Sequence, residues 1–226
     1  MSANAPQLVM PTLALQPLPR HVRDLLQLVL KIASTSLENN VILAIRDLES
    51  QMLVQIERTS EGTERQRLRE SLVQVEGSRS VLVSHFLASI EAELALLQSP
   101  VVMRGQMTSR PRRADEMRLV GDNEIEETSA LTDAATRAEL QNSLPLFLLG
   151  QRFGVLSGRP AFDAETLPVG PQALCRSIRR AVERINLDVN VRLWLYRAFE
   201  KNVMRDFGSL VESAPSPLRL LLRPWP

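Results

Sequence analysis

The feature that most constrains this chain is a long apolar stripe between residues 64 and 97. Its positions step by three or four residues, with one arginine among them: Leu68, Leu72, Val75, Arg79, Leu82, Phe86, Ile90, Leu94 and Leu97. Such steps keep side chains on one face of an α-helix, and a stripe this long needs a partner helix to cover it. The spacing therefore predicts a helix over about 64–97 that packs in an antiparallel hairpin. We expect Arg79 to extend out of the seam into solvent.

Composition favours an all-α fold for the rest of the chain. Only 4% of the 226 residues are aromatic and nine are glycine, which disfavours a β-sandwich or barrel. This length suits one domain or two small ones. A single cysteine, Cys175, excludes an internal disulfide scaffold. We expect a long N-terminal helical hairpin followed by a smaller C-terminal helical bundle.

The predicted organisation has five segments. They are a disordered leader (1–18), the hairpin (19–97), a basic linker (98–118), the C-terminal bundle (119–213) and an apolar, proline-rich tail (214–226). The leader lacks the basic start and uninterrupted apolar core of a signal peptide. No stretch approaches the roughly 20 consecutive apolar residues that a spanning helix needs. We therefore expect a cytoplasmic protein with no membrane span.

Local signals predict where helices begin and end. The hydroxyls of Ser34-Thr35-Ser36 compete for backbone hydrogen bonds and predict an interruption in the first helical stretch. Pro145 predicts a break or kink after about residue 142, and Gly158 predicts the end of the next helix. Pro171, directly after Gly170, suits the first position of a sixth helix. The final helix, from about Asp188, supplies aromatic core residues, among them Trp194, Tyr196 and Phe199.

The net charge of +1 hides a segregated distribution. Residues 101–118 carry five arginines against two acids, residues 119–165 carry eight acids against three arginines, and residues 166–226 carry ten basic against five acidic residues. We expect the basic C-terminal third to meet the acidic middle inside the fold. All basic residues except Lys31 and Lys201 are arginine, which suits ion pairs and interfaces, although a GC-rich bacterial genome produces the same bias.

Two groups of arginines are candidate interaction residues. They are Arg110, Arg112 and Arg113 in the linker, and Arg176, Arg179, Arg180 and Arg184 on the sixth helix. We expect the partner to be another protein or a second copy of this chain. Nucleic acid is an alternative partner, because arginines bind phosphate. It is disfavoured because no aromatic residue alternates with the linker arginines to stack on bases.

The search for catalytic chemistry finds no convincing motif. His21 and His85 lie in different predicted helices, and Cys175 has no histidine near it, which is typical of a buried structural thiol. The chain has no Cys/His metal spacing and no glycine-rich phosphate loop. The acidic cluster at 122–127 is explained by the first turn of a helix. We therefore expect no cofactor, no metal and no enzymatic activity.

Four segments resemble the N-terminal part of a large, all-helical proteobacterial family of unknown function. They are Arg118–Val120, Gln151–Leu156, Leu167–Cys175 and Leu187–Phe199. The resemblance implies that this chain is a truncated member or a fragment of a longer protein. Some family members are labelled thymidine phosphorylase. Ser157-Gly158-Arg159 matches the start of that enzyme signature, but Pro160-Ala161-Phe162 does not continue it, so we reject the label here.

The sequence therefore predicts a non-catalytic helical interaction or regulatory module of a larger bacterial cytoplasmic protein. One alternative is a nucleic-acid-binding protein that uses Arg110–Arg113 and Arg176–Arg184. A second alternative, which no motif supports, is an enzyme of the nucleoside phosphorylase type.

Overall fold

The computed structural model describes residues 10–97 and 122–208, and this part of the chain is helical without any strand. Its helices are α1 (Arg20–Arg58), α2 (Gly62–Ala95), α3 (Asp122–Gln141), α4 (Ser143–Ser157), α5 (Pro171–Val182) and α6 (Val189–Phe199). A π-helical turn, Glu200–Met204, continues α6. The predicted all-α class is confirmed.

The helices α1 and α2 form the predicted hairpin, which a short connection closes at residues 59–61. The stripe on α2 is buried at Leu68, Val75, Leu82 and Phe86. The predicted interruption at Ser34–Ser36 is wrong, because α1 runs unbroken from Arg20 to Arg58. The Thr35 hydroxyl donates to the carbonyl oxygen of Lys31 at 3.1 Å, one turn earlier, so it is satisfied without ending the helix.

The helix α1 is long and apolar enough to cross a membrane by length and composition, with a stretch of mean hydropathy 1.3. Buried core helices and signal sequences meet the same criterion. In this fold, eleven apolar side chains of α1 are buried, and the helix packs against α2 and α6.

Part of the predicted disordered leader is ordered. Leu13 and Leu18 are buried, and the backbone N–H of Leu13 donates to Oε1 of Glu91 on α2 at 3.1 Å. The segment 10–18 therefore belongs to the packed structure, which corrects the predicted boundary at residue 18. Residues 1–9, together with all of the predicted linker and all of the predicted tail, lie outside the described residues.

The sequence signals for the ends of the C-terminal helices are confirmed. Gly158 ends α4 with φ 65°, in the left-handed region that favours glycine. Pro171 occupies the first turn of α5, and the Asp188 side chain accepts a hydrogen bond from the N–H of Asn190 at the start of α6. The break near Pro145 falls at Asn142, which places the proline in the first turn of α4.

The hairpin and the C-terminal helices share one hydrophobic core. The helix α5 packs on α2, and α6 packs on α1. At the centre, the rings of Phe86 on α2 and Phe199 on α6 meet edge to face, with centroids 5.7 Å apart. The helices α5 and α6 thus lie against the hairpin, and α3 packs on α5 and α6.

Candidate interaction surfaces

The arginines of α5 join this helix to its neighbours. Arg180 Nη1 lies 3.0 Å from Oε1 of Glu93 on α2, and Arg176 Nη2 lies 3.6 Å from the other carboxylate oxygen. Arg180 also donates to the hydroxyl of Ser89 at 3.2 Å. The side chain of Glu93 is only 6% exposed. One buried carboxylate on the hairpin is thus held between two guanidinium groups of α5.

Arg179 makes a similar connection to α3. Its guanidinium donates to the Thr128 hydroxyl at 3.0 Å and lies 3.8 Å from the Glu124 carboxylate. It also pairs with Glu183, one turn along α5, at 3.4 Å. Arg184 is exposed. It lies in the turn after α5 and not on the helix, where the sequence predicted it. Arg176, Arg179 and Arg180 therefore make contacts inside the fold, whereas Arg110, Arg112 and Arg113 lie outside the described residues. A role in partner binding stays a prediction for all seven.

Ion pairs join the acidic middle of the chain to its basic C-terminal third. Arg192 on α6 lies 2.8 Å from Oε1 of the buried Glu127 on α3, and the Tyr196 hydroxyl donates to Oε2 at 3.3 Å. Burial, and then the Glu127 charge, raise the pKa of Tyr196. Arg137 on α3 lies 2.7 Å from Glu200. Together with the Arg179–Glu124 pair, these contacts confirm the expected internal charge pairing.

The predicted structural residues lie in or beside the core. Gly170 and Pro171 are buried where the chain enters α5, and a Cβ at Gly170 would come within 2.9 Å of the Ala164 carbonyl oxygen. Tyr196 and Phe199 are buried on α6, and Trp194 is half-buried against the core.

Arg79 does more than extend into solvent. Its Nη2 reaches both carboxylate oxygens of Glu49 on α1, at 2.6 and 2.8 Å, while its side chain stays 40% exposed. The one polar residue in the apolar stripe therefore links the two helices of the hairpin.

The helix α4 presents an apolar face to solvent, which we call the α4 outer face. It comprises four side chains that are between 40% and 81% exposed: Leu144, Phe147, Leu148 and Val155. The opposite face of the same helix is buried through Leu146, Leu149 and Phe153. A helix that is apolar on two opposite faces is normally covered on both. The sequence analysis missed this face, although its signal is visible as apolar residues 3, 4 and 11 positions after Leu144.

Two glycines hold the inner side of α4 tightly against the loop that follows it. A Cβ at Gly150 would overlap the carbonyl oxygen of Phe162, and one at Gly154 would lie 2.9 Å from Cα of Ala161. The N–H of Phe162 donates to the Gly150 carbonyl at 3.1 Å, and the N–H of Arg159 donates to the Gly154 carbonyl at 2.9 Å. The α4 outer face is thus carried by a firmly anchored helix.

A second concave surface, the hairpin-end groove, lies where the end of α1, the start of α2 and the start of α6 meet. It has a volume of about 630 Å³. Buried Leu68, Leu187 and Val191 line it together with the half-buried Trp194. Three carboxylates and one guanidinium also line it, from Glu64, Glu70, Asp188 and Arg67.

The described residues contain no group of three histidine, cysteine or acidic side chains that could hold a metal ion. Cys175 is buried on α5, and burial raises the pKa of its thiol to about 12. A thiol with so high a pKa is not ionised near neutral pH, so it makes a poor nucleophile.

Comparison with known proteins gives one match. Residues 21–218 match the model of a family described as "Protein of unknown function (DUF1631) N-terminal domain". No curated protein and no solved structure matches.

Proposed function

This chain belongs to the DUF1631 family of unknown function, as its N-terminal domain, and we propose that it is a non-catalytic helical interaction module. In this proposal it acts within a larger bacterial cytoplasmic protein, and the α4 outer face binds a helix of a partner protein.

The observation that carries the proposal is the exposure of four large apolar side chains on one face of an anchored helix. Phe147 is 61% exposed and Val155 is 81% exposed. Single exposed apolar residues are common on protein surfaces, but several on one helix face are typical of an interaction site. On α4 the exposed Gln151 lies between Leu148 and Val155. Apolar positions spaced by three, four and eleven residues suit a partner helix laid along α4.

The structure of α4 favours recognition over non-specific association. The inner face packs in the core and the loop at 159–162 bonds to the helix backbone, so the outer side chains need little ordering when a partner binds. A surface that is already rigid loses less conformational entropy on binding.

Because the α5 arginines pair inside the fold, fewer cations are available to bind nucleic acid. Arg176, Arg179 and Arg180 already contact carboxylates. Phosphate binding would compete with these ion pairs, which supports a protein partner in preference to nucleic acid. Retention on a DNA or RNA column that falls steeply with salt would instead support the nucleic-acid alternative.

The proposal is tested by affinity purification of the tagged protein from cells of its source organism. Phe147→Glu places a charge on the α4 outer face, whereas Arg184→Glu changes an exposed residue in the turn after α5. We expect Phe147→Glu to lower the recovery of a specific partner about tenfold, as for a central interface residue. Arg184→Glu should leave recovery unchanged. Equal recovery with both variants would overturn the proposal.

A further inference from the structure

The hairpin-end groove has the dimensions of a binding site and lies on α1, α2 and α6, away from the α4 outer face. Its volume of about 630 Å³ falls within the range of roughly 300–1,000 Å³ that is usual for ligand pockets. Part of its lining is apolar, because the buried residues Leu68, Leu187 and Val191 contribute to it. Trp194 adds an aromatic ring that is neither fully buried nor fully exposed.

The carboxylates that line the groove retain capacity to accept hydrogen bonds. Among the described residues, each contacts the protein through one oxygen. These contacts are Glu64 Oε2 with Arg67 at 3.8 Å, Glu70 Oε1 with the amide of Gln66 at 2.9 Å, and Asp188 Oδ1 with the N–H of Asn190 at 2.9 Å. An ionised carboxylate can accept through both oxygens, so each of the three has one oxygen left for a donor.

The charge of the groove is negative. Arg67 is the single cation among the residues that line it. Its side chain is 79% exposed and lies 3.8 Å from the Glu64 carboxylate. Three carboxylates therefore face the cavity with one loosely paired guanidinium. A cationic ligand fits this charge, and an anionic ligand does not.

We propose that the hairpin-end groove binds an arginine-bearing segment of a partner protein. The aliphatic stem of an arginine suits the apolar part of the lining. Its guanidinium stacks on an aromatic ring, such as that of Trp194, better than an ammonium does. Its planar fork of donors also matches carboxylate oxygens. The amide side chains of Gln55 and Gln74, which line the same groove, offer donors and acceptors to the peptide backbone.

Trp194 makes the proposal directly measurable by NMR. The chain has two tryptophans, so the indole N–H resonance of Trp194 is assigned by comparison with the Trp225→Phe variant. The folded protein is titrated with capped tetra-arginine, tetra-lysine and tetra-aspartate peptides. We expect tetra-arginine to shift the Trp194 resonance saturably, tetra-lysine to bind several-fold more weakly, and tetra-aspartate to cause no shift.

A matched pair of variants separates the groove from general attraction to an acidic surface. Glu64→Gln with Glu70→Gln removes two carboxylates from the groove, and Glu38→Gln with Glu126→Gln removes two exposed carboxylates elsewhere. The groove variant should weaken tetra-arginine binding roughly five- to tenfold, the range for two surface ion pairs, while the control variant binds as the wild type does. All of these sites are on the surface, so wild-type melting temperatures are expected for both.

Three results would overturn the proposal. The first is a Trp194 resonance that does not respond to tetra-arginine. The second is an equal loss of affinity in the two double variants, which would show attraction by net charge alone. The third is equal affinity for tetra-lysine and tetra-arginine, which would show that the groove does not recognise the guanidinium group.

Discussion

The helices α4 and α5 are neighbours in sequence. Charged helices are usually exposed and apolar helices buried, but here the arginine-bearing α5 is mostly buried and the apolar α4 is partly exposed. The helix α5 carries three arginines within its bounds and lies between α2 and α3, with eight of its twelve residues buried. The helix α4 is apolar on two faces and lies at the edge of the bundle, with Phe147 and Val155 exposed.

The charge on a helix of this domain does not indicate that the helix is exposed. The guanidinium groups of α5 find their partners inside the protein, on Glu93 and Glu124. An arginine can bury its aliphatic stem while its head group forms ion pairs at the edge of a core. The apolar side chains of the α4 outer face, by contrast, are between 40% and 81% exposed.

The largest expected contrast lies within α4 itself, between its two phenylalanines. Phe153 is fully buried and Phe147 is 61% exposed. Phe153→Ala should lower the free energy of unfolding by about 4 kcal/mol, because it leaves a cavity in the core. Phe147→Ala should lower it by no more than about 0.5 kcal/mol. Urea unfolding followed by circular dichroism measures both, and similar losses would mean that the two faces of α4 are equally covered.

The second prediction concerns the carboxylate that α5 holds. Glu93→Gln removes the charge that pairs with Arg176 and Arg180, so it should lower the free energy of unfolding by about 3 kcal/mol. Glu126→Gln on the exposed side of α3 is the matched control and should change it by less than about 0.5 kcal/mol. A loss as small for Glu93 as for Glu126 would show that the α5 arginines do not stabilise the fold.

The third prediction tests how α4 is anchored. Gly150→Ala places a methyl group against the Phe162 carbonyl and should cost about 2 kcal/mol through overpacking. Gly77→Ala on α2 has open space around the new methyl group and should stabilise the protein by about 0.5–1 kcal/mol through helix propensity. Thermal unfolding distinguishes the two, and a stabilising effect of Gly150→Ala would contradict the tight packing of the loop on α4.

The smallest expected effect is a pH dependence that comes from the buried thiol on α5. Because burial raises the pKa of Cys175 to about 12 from a usual value near 9, the folded state disfavours the thiolate. The stabilisation is therefore complete below about pH 9 and decreases as the pH rises toward 12, by at most about 1.4 kcal/mol per pH unit. Cys175→Ala should flatten the fall in unfolding free energy between pH 9 and pH 10.5. An unchanged slope would mean that the thiol is accessible to water.

Most of the helix ends could be predicted from the sequence because their causes are local. Gly158 supplies the left-handed residue that ends α4, and Pro171 and Asp188 suit the starts of α5 and α6. The predicted break at Ser34–Ser36 failed because the apolar face of α1 stays packed through that stretch, which outweighs the competition from its hydroxyls.

The candidate surfaces depend on tertiary packing and were harder to predict. The apolar residues of α4 are visible in the sequence, but the sequence could not show that one face stays uncovered, since exposure depends on where the helix lies in the bundle. The hairpin-end groove joins residues 55–74 to residues 186–194, which are distant in sequence. The pairing of Arg180 with Glu93 likewise spans 87 positions.

We propose that this domain binds its partner through α4 and not through the arginines on or directly after α5. The most direct test places a photo-crosslinking amino acid at Phe147 in one protein and at Arg184 in another, in cells of the source organism. Both sites are exposed, so both variants should fold. We predict a discrete crosslinked protein from position 147 that is lost on adding Leu144→Glu, and none from position 184. A crosslinked partner from position 184 alone would contradict this proposal.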